Sequence, residues 1–171
     1  LNWRVSMGWF GKLVAVIVVV VLAFFVVTRF TDGPIGIITG GAFSSGEVVS
    51  EEPDWRYVKD FDIVEFQLLD PARSRTTWIV EHDGRIFIPS GYMLSTVGKI
   101  WKQWPLQAEK DGRAILRVDA KLYPRQLVRI KDDPVLPAVL AELSRKYANG
   151  AQIPVSEVSR GSLWIFELVQ R

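Results

Sequence analysis

The sequence predicts an α+β domain, a small antiparallel barrel of about six strands with two helices, carried behind a single N-terminal transmembrane helix. Three observations predict it. Residues 13–27, LVAVIVVVVLAFFVV, contain no charge, amide, Pro or Gly. Beyond residue 55, β-branched and aromatic runs are separated by turn signals at Asp70-Pro71, Asp83-Gly84 and Asp119-Ala120. Residues 96–107 and 134–147 place apolar side chains at helical spacing.

Extended to its aromatic flanks, the apolar run covers Trp9 to Phe30. As a helix it is about 33 Å long at ~1.5 Å per residue, against a hydrocarbon core of roughly 30 Å. A lone segment in lipid must satisfy its own backbone polar groups, and a helix does so. A cleaved signal would need a small-residue cleavage site, but Thr-Arg-Phe-Thr-Asp follows. A buried core helix would show a polar face, and this run has none. Arg4 and Lys12 precede the span and Arg29 follows it, so the positive-inside rule favours a cytoplasmic N-terminus. The domain then lies on the opposite side, the periplasm in a bacterium. The expected division is anchor 1–30, linker 31–54 and soluble domain 55–171.

The formal charge of +2 arises in the anchor: without Arg4, Lys12 and Arg29 the 171-residue chain balances at −1. No basic patch points to nucleic acid. There is no Cys, hence no disulfide and no thiolate chemistry, and the single His, His82, cannot build the common His-based metal or triad sites within one chain. The expected partners are the bilayer, through residues 9–30, and other membrane protein subunits. The anchor contains no GxxxG motif.

Each element has a local reason. Residues 31–47 are rich in Gly, Ser and Thr and read as a linker, although Ile35, Ile37, Ile38 and Phe43 argue that part of it packs on the domain or on a partner. Residues 61–69 alternate and form a strand. Residues 75–81 and 85–89 flank Asp83-Gly84 as a hairpin. Residues 96–107 form a short helix limited by Pro105. Residues 112–118 and 121–130 form a second hairpin, with Pro124 at an edge or bulge position. Residues 134–147 form a helix capped by Asp132 or Asp133, with Leu136, Val139, Leu140 and Leu143 as its apolar stripe and Asn149-Gly150 as its stop. After a polar loop over 151–160, residues 162–169 form a closing strand.

The run RTTWIVEHDGRIFIPSGYMLSTVGKIWKQW, followed by DGRAILRVDAKLYPRQLVRI, resembles the split-barrel flavin-binding domains, which include the pyridoxamine-phosphate-oxidase-like and deazaflavin-dependent reductase families. The resemblance covers roughly residues 60–131 and the last strand, and it lies in order and spacing. It implies a split barrel, with a cofactor phosphate held at the ends of two strands and at the short helix. Matched by position, the cofactor-binding residues it implies are Arg75, Thr77, Ser90, Gly91 and Lys99, with Thr76 beside them and Trp101 near the ring. A cation supplies charge, hydroxyls supply directional donors, and Gly91 permits close approach.

Competing readings stay open. Arg73, Arg75, Arg85, Lys99 and Lys102 line an anion site or are solvated strand-end charges. Trp101 and Trp104 stack on a ligand or anchor the core. Tyr92-Met93-Leu94 is an exposed apolar loop or tucks inside. His82 reads as a turn residue, and Asp62 and Glu65, three apart on a strand, face opposite ways. Two functions follow. One is a non-catalytic accessory or docking subunit of a larger membrane complex. The other is a membrane-tethered flavin- or deazaflavin-dependent reductase.

Overall fold

A computed structural model describes residues 8–96 and 103–171. Helix α1, Trp9–Val27, continues as a 3-10 turn over Thr28–Phe30. None of its residues is buried against the domain, and among the described residues Trp9–Phe30 is the one helix long and apolar enough to cross a membrane. The chain has the single apolar N-terminal helix expected of a single-pass protein.

Eight strands form one curled antiparallel sheet with helices against it. They are β1 Glu47–Val48, β2 Val64–Leu69, β3 Ala72–Thr77, β4 Val80–His82, β5 Arg85–Ser90, β6 Arg113–Val118, β7 Lys121–Ile130 and β8 Trp164–Gln170. Their order is β3-β2-β6-β7-β8-β5-β4, with β1 added in parallel to the start of β7. The sheet is therefore a half-open barrel whose free edges, β3 and β4, are consecutive in sequence. Among the described residues the further helices are α2 Trp104–Lys110, α3 Leu136–Tyr147 and α4 Ser156–Ser159.

Both tight hairpins form where the turn residues place them. Asp83 and Gly84 take φ of 51° and 76°, and Asp119 and Ala120 take 49° and 58°, the left-handed pair that a two-residue hairpin requires. Glu81 accepts the Gly84 N–H at 2.7 Å and closes the first turn. Helix α3 buries Leu136, Val139, Leu140 and Leu143 as its stripe predicts. Asp133 accepts the Val135 N–H at 2.8 Å near its start, and Asn149 (φ 50°) with Gly150 (φ 79°) turns the chain out of it.

Two apolar cores explain the near-continuous apolar run of β5. Ile86, Ile88, Phe166 and Leu168 face the barrel interior with Phe66, Leu116 and Trp104. Phe87 and Ile165 face the other way, onto α3 with Val139, Leu140 and Val158. Strands β5 and β8 are buried on both faces, and such strands lose the polar alternation of a half-exposed one.

The structure differs from the sequence expectation in four places. The run 75–81 is not one strand: β3 ends at Thr77 and β4 begins at Val80. Lys146 and Tyr147, from the end of α3, hold the break. Lys146 Nζ donates to the carbonyls of Val58 (3.1 Å), Ile79 (3.2 Å) and Phe61. Tyr147 Oη accepts the Ile79 N–H at 3.0 Å. Helix α2 runs past the expected limit to Lys110, with Pro105 in its first turn, where a missing N–H costs nothing; residues 97–102 of the expected helix lie outside the described residues. Pro124 is in a central strand, not at an edge. Its flank is where the neighbour of β7 changes from β1, ending at Leu122, to β8, beginning at Arg125. The polar loop 151–160 contains α4, which buries Val158.

Candidate functional site: a cleft beside the open edge of the barrel

The split between β3 and β5 opens a cleft of about 790 Å³. Its walls follow from the elements just described. The end of β3 supplies Thr76 and Thr77, and the break after it supplies Trp78. The end of β5 supplies Pro89, Ser90 and Gly91. Helix α3 supplies Leu143 and Tyr147, and the α4 loop supplies Glu157, Ser162 and Leu163. Buried Trp104 also lines it, and Ile37, almost fully exposed, stands at the rim.

Trp78 is a half-exposed aromatic wall. Its ring stacks on Tyr147 with centroids 4.6 Å apart and planes 7° from parallel. The same hydroxyl contacts that fix the strand break fix Tyr147: its Oη lies 2.7 Å from Asp62 O and 2.9 Å from Ile79 O, and burial pushes its pKa up to about 12. The opposite wall is held by the loop after β5. Ser90 Oγ donates to Met93 Sδ at 3.4 Å, and Met93 N–H to Ser162 O at 3.0 Å. Tyr92 is forced to φ 61°, a region disfavoured for a bulky residue, and its side chain stays exposed while Met93 is buried. The loop thus both tucks in and projects.

The hydroxyls lining the cleft are engaged locally. Thr76 donates to Gly36 O at 2.7 Å and Thr77 to Trp78 O at 3.2 Å. Ser162 donates to the Glu157 carboxylate, which it holds below the usual range together with Arg160. The chemistry of the cleft is that of an apolar slot with one aromatic face and few polar groups. It suits a flat, largely apolar group held by stacking and burial.

Of the residues singled out in the sequence, Thr77, Ser90 and Gly91 meet on this cleft. Arg75 does not line it. It lies on β3 opposite Phe66, donates to Arg73 O at 3.1 Å, and is pushed down to about 10 by burial and by the charge of Arg73. Lys99 and Trp101 lie outside the described residues. Of the five cations considered as an anion site, the three among the described residues are engaged elsewhere. Arg85 pairs with Glu167 at 2.6 Å and with Asp133 at 3.4 Å, Arg73 donates to Gly40 O at 3.4 Å, and Lys102, like Lys99, is outside the described residues. Trp104 is a core anchor, edge-on to Phe66 at 4.9 Å. The sequence reading missed Trp78 and Tyr147. Tyr147 had a signal, since it continues the α3 stripe one turn past Leu143; Trp78 had none, because only the strand break turns it outward.

The described residues fit the ring half of a flavin-type cofactor better than its phosphate half. The aromatic and apolar walls match a flat ring system, but no Lys or Arg among the described residues lines the cleft, and Glu157 brings a negative charge.

No protein family matches the sequence, and no curated protein does. Among solved structures, the chain is similar to a provisionally named pyridoxamine 5'-phosphate oxidase from Listeria innocua, at 11% identity and a TM-score of 0.45, covering 66% of this chain and 86% of that one. It is also similar to a conserved hypothetical protein from Mycobacterium tuberculosis, at 13% identity and a TM-score of 0.49, covering 76% and 85%. Likeness at this distance carries no argument about activity. The architecture rests on the sheet itself: the chain is an α+β protein with a split-barrel-type curled antiparallel sheet behind an apolar N-terminal helix.

Proposed function

We propose that this is a single-pass membrane protein whose split-barrel domain binds a flat aromatic ligand in the cleft beside Trp78, and that it works as a membrane-tethered flavin- or deazaflavin-dependent reductase. The observation that carries this reading is the cleft itself. A concave, mostly apolar hollow of this size with a few convergent polar groups is what a small-molecule site looks like, and a purely docking surface has no need of one. Trp78 and Tyr147 would face the ring, Thr77 and Ser90 would orient its polar edge, and Gly91 would allow close approach. Lys99 is the residue proposed for the phosphate, and Arg75 is not. A bound flavin or deazaflavin would supply the hydride transfer. The protein's part is to exclude water from the ring and fix its orientation.

The accessory-subunit reading is favoured by a different observation, the exposed Ile37, Tyr92 and Leu94 near the cleft mouth, which a partner subunit could cover. An absorbance spectrum of the mildly detergent-extracted protein separates the two. The reductase reading expects a flavin-like near-ultraviolet or blue band that Lys99→Ala and Trp78→Ala abolish and Arg75→Ala retains. A colourless protein that elutes with other membrane subunits on a sizing column would reject it in favour of docking. We also propose a cytoplasmic N-terminus and an extracytoplasmic, periplasmic domain. Because the chain has no Cys, a single Ser156→Cys label tests this: a membrane-impermeant thiol reagent should reach it in intact cells.

A further inference from the structure

Residues 31–41 fold back on themselves as a hairpin. Ile35 and Ile38 exchange backbone hydrogen bonds at 3.1 and 3.0 Å, and Gly41 N–H donates to Thr31 O at 3.2 Å. The two arms are so close that a Cβ on Gly40 would stand 1.8 Å from Gly33 O. The base of this hairpin is also the exit of the apolar helix, since a Cβ on Gly41 would meet Arg29 O at 2.5 Å. The hairpin lies along β3. At its base Gly40 N–H donates to Ser74 O at 3.1 Å and Ser74 Oγ to Gly41 O at 2.6 Å; at its tip Gly36 O accepts from Thr76.

From Ser74 to Thr76 is about 7 Å at ~3.3 Å per strand residue. The tip, with Ile37, is at the rim of the cleft. The mouth of the cleft therefore stands about one headgroup layer from the point where the chain leaves the hydrocarbon, a layer of roughly 5–8 Å on each side of a bilayer. Among the described residues that line that mouth, the exposed side chains are apolar. Ile37 is 93% exposed and Tyr92 78%, Ile63 and Trp78 are about half exposed, and Leu94 follows two residues after Tyr92. Tyr92 is held outward despite its left-handed backbone. Aromatic and aliphatic residues grouped in this way suit the boundary between headgroups and acyl chains.

We propose that the mouth of the cleft is seated in the headgroup layer of the bilayer that α1 spans, with Ile37, Tyr92 and Leu94 in contact with lipid. The cleft then opens toward the membrane, and an apolar ligand dissolved there reaches Trp78 without crossing water. This inference depends on α1 spanning the membrane and not on which ligand occupies the cleft.

The test uses the full chain in phosphatidylcholine vesicles, taking advantage of the absence of Cys. Single variants Ile37→Cys, Tyr92→Cys and Leu94→Cys carry a polarity-sensitive fluorophore. Val128→Cys, exposed on β7 and not lining the cleft, and Val19→Cys, inside α1, serve as references. Labels at 37, 92 and 94 should emit at shorter wavelength than the label at 128 and lose most of their emission to a headgroup-level spin-labelled lipid. Water-like, unquenched emission at all three, with the Val19 label quenched by an acyl-chain spin label, overturns the proposal. A Val19 label that escapes quenching removes the span and the proposal with it. A ligand-free protein with quenched rim labels leaves this inference standing while the reductase reading falls.

Discussion

Two hollows share Ile63 and Thr76 as a common wall, and they differ in chemistry. One, of about 510 Å³, is lined by Asp32, Glu65, Arg117 and Asp119. The other is the apolar cleft of Trp78 and Tyr147. The charged hollow looks more like an active site at first sight, yet the charges of Asp32, Glu65 and Arg117 answer one another. Arg117 donates to Glu65 at 2.7 Å and to Asp32 at 3.0 Å, and its guanidinium lies 4.1 Å from the centroid of the Phe43 ring. Asp32 also accepts from Ser44 N–H at 2.8 Å and from the Ser45 hydroxyl. It is a seam that fastens residues 31–45 to the sheet. In the apolar cleft the side chains at the rim have their backbones fixed and their apolar faces turned outward. Saturated polar groups mark structure here, and ordered but uncovered apolar groups mark the surface available for binding.

Breaking the seam should have the largest effect. Arg117→Ala removes the cation from two carboxylates that are each about a third exposed and frees Phe43; a chemical-denaturation midpoint should report a loss of about 3 kcal/mol, from two charge-assisted hydrogen bonds of ~1.5–3 kcal/mol each, reduced by solvent screening. New proteolytic cuts should appear within 31–45, with the cleft wall intact. Acid should reach the same seam by another route. Ser45, Ser44 and then Arg117 hold Asp32 well below the usual carboxylate range. A group with a depressed folded pKa contributes fully above its unfolded value, about 3.9 for Asp, and loses that contribution as pH falls toward the folded value. Cleavage at 31–45 should therefore rise from about pH 4 downward, and Asp32→Asn should flatten that dependence.

On the cleft side, Tyr147→Phe leaves the Ile79 N–H without the acceptor it has now and should cost about 1–3 kcal/mol. Unlike the seam variants, it should change the fluorescence of the Trp78 environment. Thr76→Val removes one hydrogen bond between strand and hairpin tip, worth about 1 kcal/mol; amide exchange at Gly36 to Ile38 should accelerate while exchange in β2 does not. Ile37→Ser should move the unfolding midpoint least, within about 0.5 kcal/mol. A large loss there would mean that Ile37 is part of the fold rather than of a binding rim, and the contrast between the two hollows would fail.

Elements whose cause is local were legible in the sequence. Asp83-Gly84 and Asp119-Ala120 specify their own turns, and the stripe from Leu136 to Leu143 specifies its own buried face. What was hidden has a distant cause. The break at Trp78-Ile79 contains no Gly, Pro or Asn, and it exists because Lys146 and Tyr147, nearly 70 residues later, bind the backbone there. Residues 31–45 have a linker's composition, but Asp32, Gln67 and Ser74 bind their backbone, Gln67 through Phe43 N–H at 2.6 Å. The candidate site was legible to the same degree. Thr77, Ser90 and Gly91, which line the cleft, could be grouped through the family resemblance alone. The separation of Arg75 from them could not, because it depends on contacts inside the fold, Arg75 lying opposite Phe66 and donating to Arg73 O.

The hairpin over β3 also bears on how the domain can be cut free of its anchor. An open barrel has two unpaired strand borders, and such borders invite pairing with other molecules. Here β4 is only three residues long, and the 31–41 hairpin covers part of β3 through Gly40 and Ser74. A soluble version begun at β1, where the compositional linker ends, would leave that border bare and discard the Arg117 seam as well. It should collect in the insoluble fraction. A version begun at Thr28, the first residue past α1, keeps the cover and should remain monodisperse.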